Sequence, residues 1–524
     1  MKKFTLALLF LLSLLPVVTF AKSKNQIKNK CIPCKACPAT PQNCPALALH
    51  PLNNRAQSIV LPALSSAKIT SAVGIVLYDL SSNQEIYTLN PDKLFIPASI
   101  SKMFTSAAAL KNLGVSYSFK TEIKYKGELQ SNGKLDGDLY IIGGGDPFLV
   151  SEKLERLSAN IYYQGLRKVE GDLCVDNSFF QDVAKLRDNF ETEIAKEDNP
   201  YNAQNSALSF NFNSLGIYIS PLTKVTNAHS SIVGENEIPI YIDPIENSYI
   251  KIHNNLRLGA GTSATLLRLN KNNNTAEEFS LQGESSSPSF LYKSVNNPAL
   301  YAGHMLKALL QKNNITISGE VKECPPEKNL TSLFTHASDS LAELVTLTNR
   351  FSNNFMCEQI LLTMGAHRFG APGTPDKGLM VLGEYLKSIN FKKRDYIFKN
   401  GSGLTYGNQL SARHAVELLN AIHNDYTIYP EFLYSLARPH IAGTLNKWFN
   451  NDSEMEVVRA KTGSLSHRLL VHSIAGIVAA KNGHLLAFAM ITNIPSASKE
   501  AYKSYALARL LEEKILIMLA KWEN

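Results

Sequence analysis

From about residue 117 to Ser287 the chain alternates short apolar runs with turn dipeptides. The opening of this stretch, KTEIKYKGELQSNGKLDGDLYIIGG, carries Asn132-Gly133 and Asp136-Gly137, and β-rich, Asn-rich text continues behind it. Helical text flanks it on both sides, SKMFTSAAALKNLG before and NPALYAGHMLKALLQKNN after. Helices and strands come in separate blocks, not in the strict alternation that builds a parallel sheet. The expected fold is α+β, with one or two β-rich domains inserted into a host domain.

The host has strands of its own. SAVGIVLYDL (71 to 80) and EIYTLN (85 to 90) read as a hairpin turning at SSNQ, and the apolar residues of SKMFTSAAALKNLG then follow a helical period until Gly114 stops it. Near the end, EVVRAKTGS reads as a strand, LLVHSIAGIVAA and HLLAFAMITN as a hairpin around Lys481-Asn482-Gly483, and KEAYKSYALARLLEEKILIMLAKW as a long amphipathic helix. These pieces predict an antiparallel sheet between helix clusters. The expected divisions are an N-terminal leader at 1–21, a Cys/Pro/Asn-rich segment at 22–57, the host domain at 58–116 and 288–524, and the insertion at 117–287.

MKKFTLALLFLLSLLPVVTFA has two lysines, an apolar core and small residues at Thr19 and Ala21, the pattern of a secretory signal peptide; a retained anchor is the alternative. The full chain is 44% hydrophobic and 19% charged, so it can bury a large core. Its formal charge of +8 is spread along the sequence and forms no basic block, which gives no signature for nucleic acid. Four of seven cysteines, Cys31, Cys34, Cys37 and Cys44, follow the leader closely. In an exported protein they point to disulfides within or between chains, the latter making a dimer, ahead of a metal site. Cys174, Cys324 and Cys357 are expected to be buried thiols or to supply one more bridge. IIGGGDP lacks the lysine and hydroxyl residue of a phosphate loop and reads as a strand-end turn.

IPASISKMF puts Ser99 and Lys102 one turn apart at the start of the alanine-rich helix. Ser-x-x-Lys alone carries little, since Ser65/Lys68, Ser131/Lys134, Ser248/Lys251 and Ser496/Lys499 match it too. Ser-x-Asn, as Ser352 and Asn354 in FSNNF, is equally common here. Lys-Thr-Gly occurs once, as Lys461, Thr462 and Gly463, followed by Ser464 on the predicted strand. The order of the three, each in its structural context, is far more specific than any one of them.

The set resembles the serine acyl transferases that react with penicillin, the superfamily of penicillin-binding proteins and β-lactamases. The interval from Ser99 to Ser352 is more than twice the 109 residues from Ser352 to Lys461. An insertion of that size just after the Ser-x-x-Lys helix resembles the class C low-molecular-mass penicillin-binding proteins, the D-alanyl-D-alanine carboxypeptidase/endopeptidase family. GGGDPFL (143 to 149), GDLCVDNSFF (171 to 180), SALSFNFNS (206 to 214) and GSGLT (401 to 405) are similar to that family's text. With so short a stretch before Ser99, a polymerising, two-domain relative with a glycosyltransferase is not expected.

The resemblance implies a β-lactamase/DD-peptidase-like transpeptidase domain and gives each residue a role. Ser99 is the nucleophile and Lys102 its base, which burial and a nearby positive charge, Lys461, must bring toward working pH. Ser352 relays the proton to the leaving amine and Asn354 orients Lys102 and the substrate amide. Backbone N–H groups of Ser99 and Ser464 hold the oxyanion, while Lys461, Thr462 and Ser464 grip the free carboxylate of a terminal D-alanine beside Gly463. The implied partners are peptidoglycan stem peptides ending in D-Ala-D-Ala and β-lactam antibiotics, the implied location is periplasmic or secreted and cell-wall associated, and no metal or organic cofactor is required.

Two positions depart from the family. Where relatives often carry Asp-Gly-Ser-Gly-Leu-Ser-Arg, this chain reads Asn400-Gly-Ser-Gly-Leu-Thr405-Tyr406, so an arginine able to grip a carboxylate of the stem peptide is replaced by Tyr406, a candidate hydrogen-bonding group for a different side chain. Ser466 stands where some relatives carry glutamine. Two rival readings are a β-lactamase, which needs a deacylating base that no motif supplies, and a wall-binding scaffold with a slow site, which the intact motifs oppose.

Overall fold

The computed structural model describes residues 49–523 apart from 182–197, 222–237, 260, 262, 271–275, 392–395 and 497–498. The leader and Cys31 to Cys44 lie outside the described residues.

Five antiparallel strands form the host sheet, in the order Val458–Leu465, Leu469–Ala479, Leu485–Pro495, Val73–Asp79, Gln84–Leu89. The first and last segments of the described chain are thus joined in one layer. Side chains alternate between its faces as the pleat requires. Ile474, Val478, Phe488, Met490, Ile75 and Leu77 point to one core, and Ala475, Ile477, Ala487, Ala489 and Val76 to another. Burial on both faces explains why these strands read as continuous apolar runs.

The first core is closed by the C-terminal helix Lys499–Ala520 and by an N-terminal helix, Asn53–Ser66. Order was expected from about Ser58, but that helix starts at Asn53, and Val60 and Leu64 are fully buried against the sheet's outer layer. Upstream, His50 is buried beside Asp79 and Trp522. The second core holds the helix Ser101–Leu113, surrounded by Leu341–Arg350, Asn354–Phe369, Pro375–Ser388, Ala412–His423 and Tyr429–Ser435. Every residue from Ser101 to Leu110 is buried, which accounts for the alanines: a helix enclosed all round must present small side chains to close neighbours.

The β-rich insertion has its own apolar core, running from Ile123 to Val321. The hairpin Lys120–Leu129 and Lys134–Ile142 turns at Asn132-Gly133 as expected. Asp136-Gly137, expected to be a turn, lies inside the second strand; a Cβ on Gly137 would enter the Lys126 carbonyl, so the glycine serves close strand approach. The insertion was expected to end near Ser287, yet its main sheet is completed by Thr316–Ile317, Val321–Glu323 and Thr331–Ala337, and the helix Pro298–Lys312 packs on it. A disulfide links Cys174, in the strand Leu173–Asp176, to Cys324, just past the end of the adjacent parallel strand Val321–Glu323, and among the described residues Cys357 is a free buried thiol. Two three-stranded sheets complete the insertion: Thr265–Arg268, Glu277–Ser285, Ile250–Leu258, and Ser289–Ser294, Ser214–Ile219, Ile240–Asp243. No described helix is long and apolar enough to cross a membrane.

Candidate active site

Ser99 sits in a 3-10 turn, Ala98–Ile100, that feeds directly into the Ser101–Leu113 helix. One turn on, the Lys102 ammonium is fully buried and lies 2.9 Å from Ser99 Oγ, 2.7 Å from Asn354 Oδ1 and 2.7 Å from the Ser402 carbonyl. Burial lowers its pKa from the ordinary lysine value to about 8.

The SNN triplet divides its labour. Asn353 caps the Asn354–Phe369 helix, its Oδ1 accepting the Met356 N–H at 3.0 Å. Ser352, just before the cap, is held in the left-handed region at φ 58°, and such strain in a non-glycine residue concentrates at functional sites. Its hydroxyl accepts from Lys461 Nζ at 2.8 Å, while Lys461 also donates to the Thr462 carbonyl at 2.7 Å. Lys461 too is fully buried, and its pKa lies well below the lysine range, first through desolvation and then through repulsion by Lys102. Repulsion between the two ammonium groups acts on both lysines, and desolvation is the first cause of lowering in each.

The Lys461 strand is an edge of the host sheet. Ala460 exchanges both backbone hydrogen bonds with Ala437, at 3.0 Å each, so its N–H and C=O face away from the sheet. Two-residue periodicity turns the backbone of Thr462 and Ser464 outward on that side, and both residues share a cavity wall with Ser99. Gly463 makes the approach possible, because a Cβ there would stand 2.7 Å from the Ser99 amide nitrogen.

A cavity of about 550 Å³ brings Ser99, Ser352, Asn354, Tyr406, Thr462, Gly463 and Ser464 together on its walls, with Ser466 and Tyr201. Lys102 and Lys461 lie behind them, reached through Ser99 and Ser352. The Tyr406 oxygen accepts the N–H groups of His467 and Arg468 at 3.0 Å each, tying the GSGLT loop to the end of the edge strand, and as it is the acceptor in both, its O–H remains a donor at the cavity wall. Asn400 is turned inward, accepting the Gly403 N–H at 2.9 Å. Tyr201 comes from the insertion, and its carbonyl accepts from Asn354 Nδ2 at 3.1 Å. Farther along the same helix, Gln359 and the Phe355 carbonyl are bound by Asn205, so the insertion grips the helix that carries Asn354.

Sequence reasoning missed Glu358. This carboxylate is buried behind Lys102 and accepts the Ser402 N–H at 2.7 Å and the Gly401 N–H at 3.2 Å, fixing the loop whose Ser402 carbonyl receives Lys102. Burial pushes its pKa up. Spacing gave one available signal: Glu358 is one helical turn beyond Asn354, on the same side.

Residues 57–514 match the D-Ala-D-Ala carboxypeptidase 3 (S13) family. The chain belongs to that family. It is 31% identical over 444 residues to a D-alanyl-D-alanine carboxypeptidase of Actinomadura sp. (strain R39), covering 82% of this chain and 79% of the relative. It is 23% identical over 436 residues to the D-alanyl-D-alanine carboxypeptidase DacB of Haemophilus influenzae, covering 81% and 85%. Among solved structures, penicillin-binding protein 4 (dacB) from Haemophilus influenzae superposes with a TM-score of 0.70 at 22% identity, over 88% of this chain and 99% of the other. The α+β fold expected from the motifs is therefore the fold of this carboxypeptidase, and D-alanyl-D-alanine carboxypeptidase is its class of activity.

Proposed function

We propose that this carboxypeptidase is an exported enzyme that hydrolyses peptidoglycan stem peptides ending in D-Ala-D-Ala through an acyl-enzyme on Ser99, and that β-lactams acylate the same serine. The observation that carries the reading is the 2.9 Å approach of a buried Lys102 amine to Ser99 Oγ. Neutral Lys102 takes the Ser99 proton as Oγ bonds to the carbonyl carbon of the penultimate residue. The oxyanion is held by the N–H groups of Ser99 and Ser464. As the C–N bond breaks, Ser352 relays to the departing D-alanine amine the proton that Lys102 took from Ser99, leaving Lys102 neutral again. Water then attacks the ester carbonyl, its hydroxyl going to the acyl carbon and its proton, by way of Lys102, to Ser99 Oγ.

Lys461, Thr462 and Ser464 hold the terminal carboxylate, whose negative charge favours the ammonium form of a lysine that burial otherwise depresses. Asn354 bridges Lys102 and the Tyr201 carbonyl, which supports an orienting role. Among the described residues the wall of the Ser99 cavity carries no carboxylate, which supports slow release of a β-lactam adduct over β-lactamase turnover. The leader sequence and the Cys174–Cys324 bridge support export to an oxidising, cell-wall-facing compartment. Release of D-alanine from a diacetylated Lys-D-Ala-D-Ala peptide tests the reading. Wild type is expected to release it and Ser99→Ala to lose the activity; release by folded Ser99→Ala overturns the assignment.

A further inference from the structure

In a sheet with one face in the core, alternate residues on the other face are polar. The three-stranded sheet Ser289–Ser294, Ser214–Ile219, Ile240–Asp243 departs from this. Its inner face, with Leu215, Ile217, Ile219, Ile240 and Ile242, lies in the insertion's core. Register puts Phe290, Tyr218 and Tyr241 side by side in one row of the outer face, and Tyr292, Gly216 and Asp243 in the next. Phe290 is 53% and Tyr292 54% exposed. The Phe290 and Tyr292 rings are nearly parallel, their planes 10° apart with centroids at 6.0 Å, and Tyr218 packs on Phe290 at 4.8 Å.

This aromatic surface runs into the catalytic region. The Tyr292 ring lies over Gly216, which has no side chain to displace it, and these two residues with Asp243 line a cavity of about 480 Å³ whose far wall is Phe351, Ser352 and Asn354. Exposed apolar surface continuous with an active site marks where a substrate lies. Flat rings with hydroxyl tips and a nearby carboxylate suit a ligand that is apolar on its faces and polar around its edge. A pyranose chain has that character, whereas a short stem peptide does not need so broad a platform.

We propose that the outer face formed by Tyr218, Phe290 and Tyr292 binds the aminosugar glycan strand to which the stem peptide is attached. The inference rests on the peptidase reading above and adds the polymer to its substrate. The test uses the full chain and peptide-free β-1,4-linked N-acetylglucosamine oligomers, followed by calorimetry, for wild type, Phe290→Ala, Tyr218→Ala and the stacking-competent Phe290→Tyr. Wild type and Phe290→Tyr are expected to bind, and each alanine variant to bind about tenfold more weakly. D-alanine release from a short soluble peptide is expected to stay unchanged in the alanine variants, while release from intact peptidoglycan falls. Absence of sugar binding by wild type, equal binding by all variants, or binding of sugar-free stem peptide at the same rings overturns the proposal. Failure of the peptidase reading would show separately, as no D-alanine released from the short peptide by wild type.

Discussion

Gly463 lies against the backbone of Ser99, with room for a hydrogen and not for a methyl group. A Cβ at residue 463 would stand 2.7 Å from the Ser99 amide nitrogen and 2.9 Å from the Pro97 carbonyl, and would also collide with the Ser473 hydroxyl. Gly463→Ala is therefore expected to push the edge strand away from the Ser99 turn and part the two N–H groups assigned to the oxyanion. Losing one such donor costs about 3 kcal/mol, roughly a hundredfold in rate. Acylation kinetics with a β-lactam check this, with circular dichroism showing that the fold is kept.

Lys102 must be neutral to accept the Ser99 proton, and its pKa is lowered to about 8. The rate of acylation is expected to rise with pH through a limb near 8. The ionised Glu358 carboxylate raises the Lys102 pKa, so Glu358→Gln is expected to move that limb to lower pH. Glu358→Ala removes the acceptor for two buried N–H groups and is expected to destabilise the fold by about 2 to 4 kcal/mol. A pH profile of acylation separates the two effects, since a purely structural role for Glu358 would leave the limb of the Gln variant in place.

Asp146, in the GGGDP turn, is buried, its pKa raised to about 6 by desolvation, and its Oδ2 has no hydrogen-bond partner among the described residues. His336 Nε2 is nearby at 3.9 Å, but burial lowers the His336 pKa and favours its neutral form. A carboxyl whose folded pKa is raised binds more protons folded than unfolded between its unfolded value near 4 and about 6, so it costs stability as pH rises through that window. Asp146→Asn keeps the acceptor for the Phe148 N–H and is expected to stabilise the protein by about 2 kcal/mol at pH 7 and hardly at all at pH 4. Thermal midpoints at the two pH values check it.

The Cys174–Cys324 bridge spans 150 residues of sequence. Constraint of so long a loop in the unfolded chain is worth about 3 to 5 kcal/mol. The double Cys174→Ala, Cys324→Ala variant is expected to melt earlier by that equivalent, with the Ser99 site unchanged in penicillin acylation at low temperature because the bridge lies in the insertion's sheet.

Much of this was legible in the residues. The change from two-residue to helical periodicity between EIYTL and SKMFTSAAAL marked the Ser99 turn, and the single Lys-Thr-Gly fell on a strand, because both depend on local pattern. The Cys174–Cys324 pairing was not, since spacing does not determine connectivity. Glu358 was missed because a glutamate on a helix ordinarily faces water, and only the fold reveals the two amides that make its burial tolerable. The extension of the insertion to Ala337 escaped notice because the strand Thr331–Ala337 pairs with Lys120–Leu129, far away in sequence. Tyr406, read as a substrate contact, lines the Ser99 cavity and also accepts the His467 and Arg468 N–H groups, a bracing contact between distant segments that sequence spacing does not reveal.

The most direct measurement is intact-protein mass spectrometry of the mature protein with benzylpenicillin, wild type beside Ser99→Ala. The account predicts one penicillin adduct on wild type and none on the variant. An adduct on Ser99→Ala, or none on folded wild type, would contradict it.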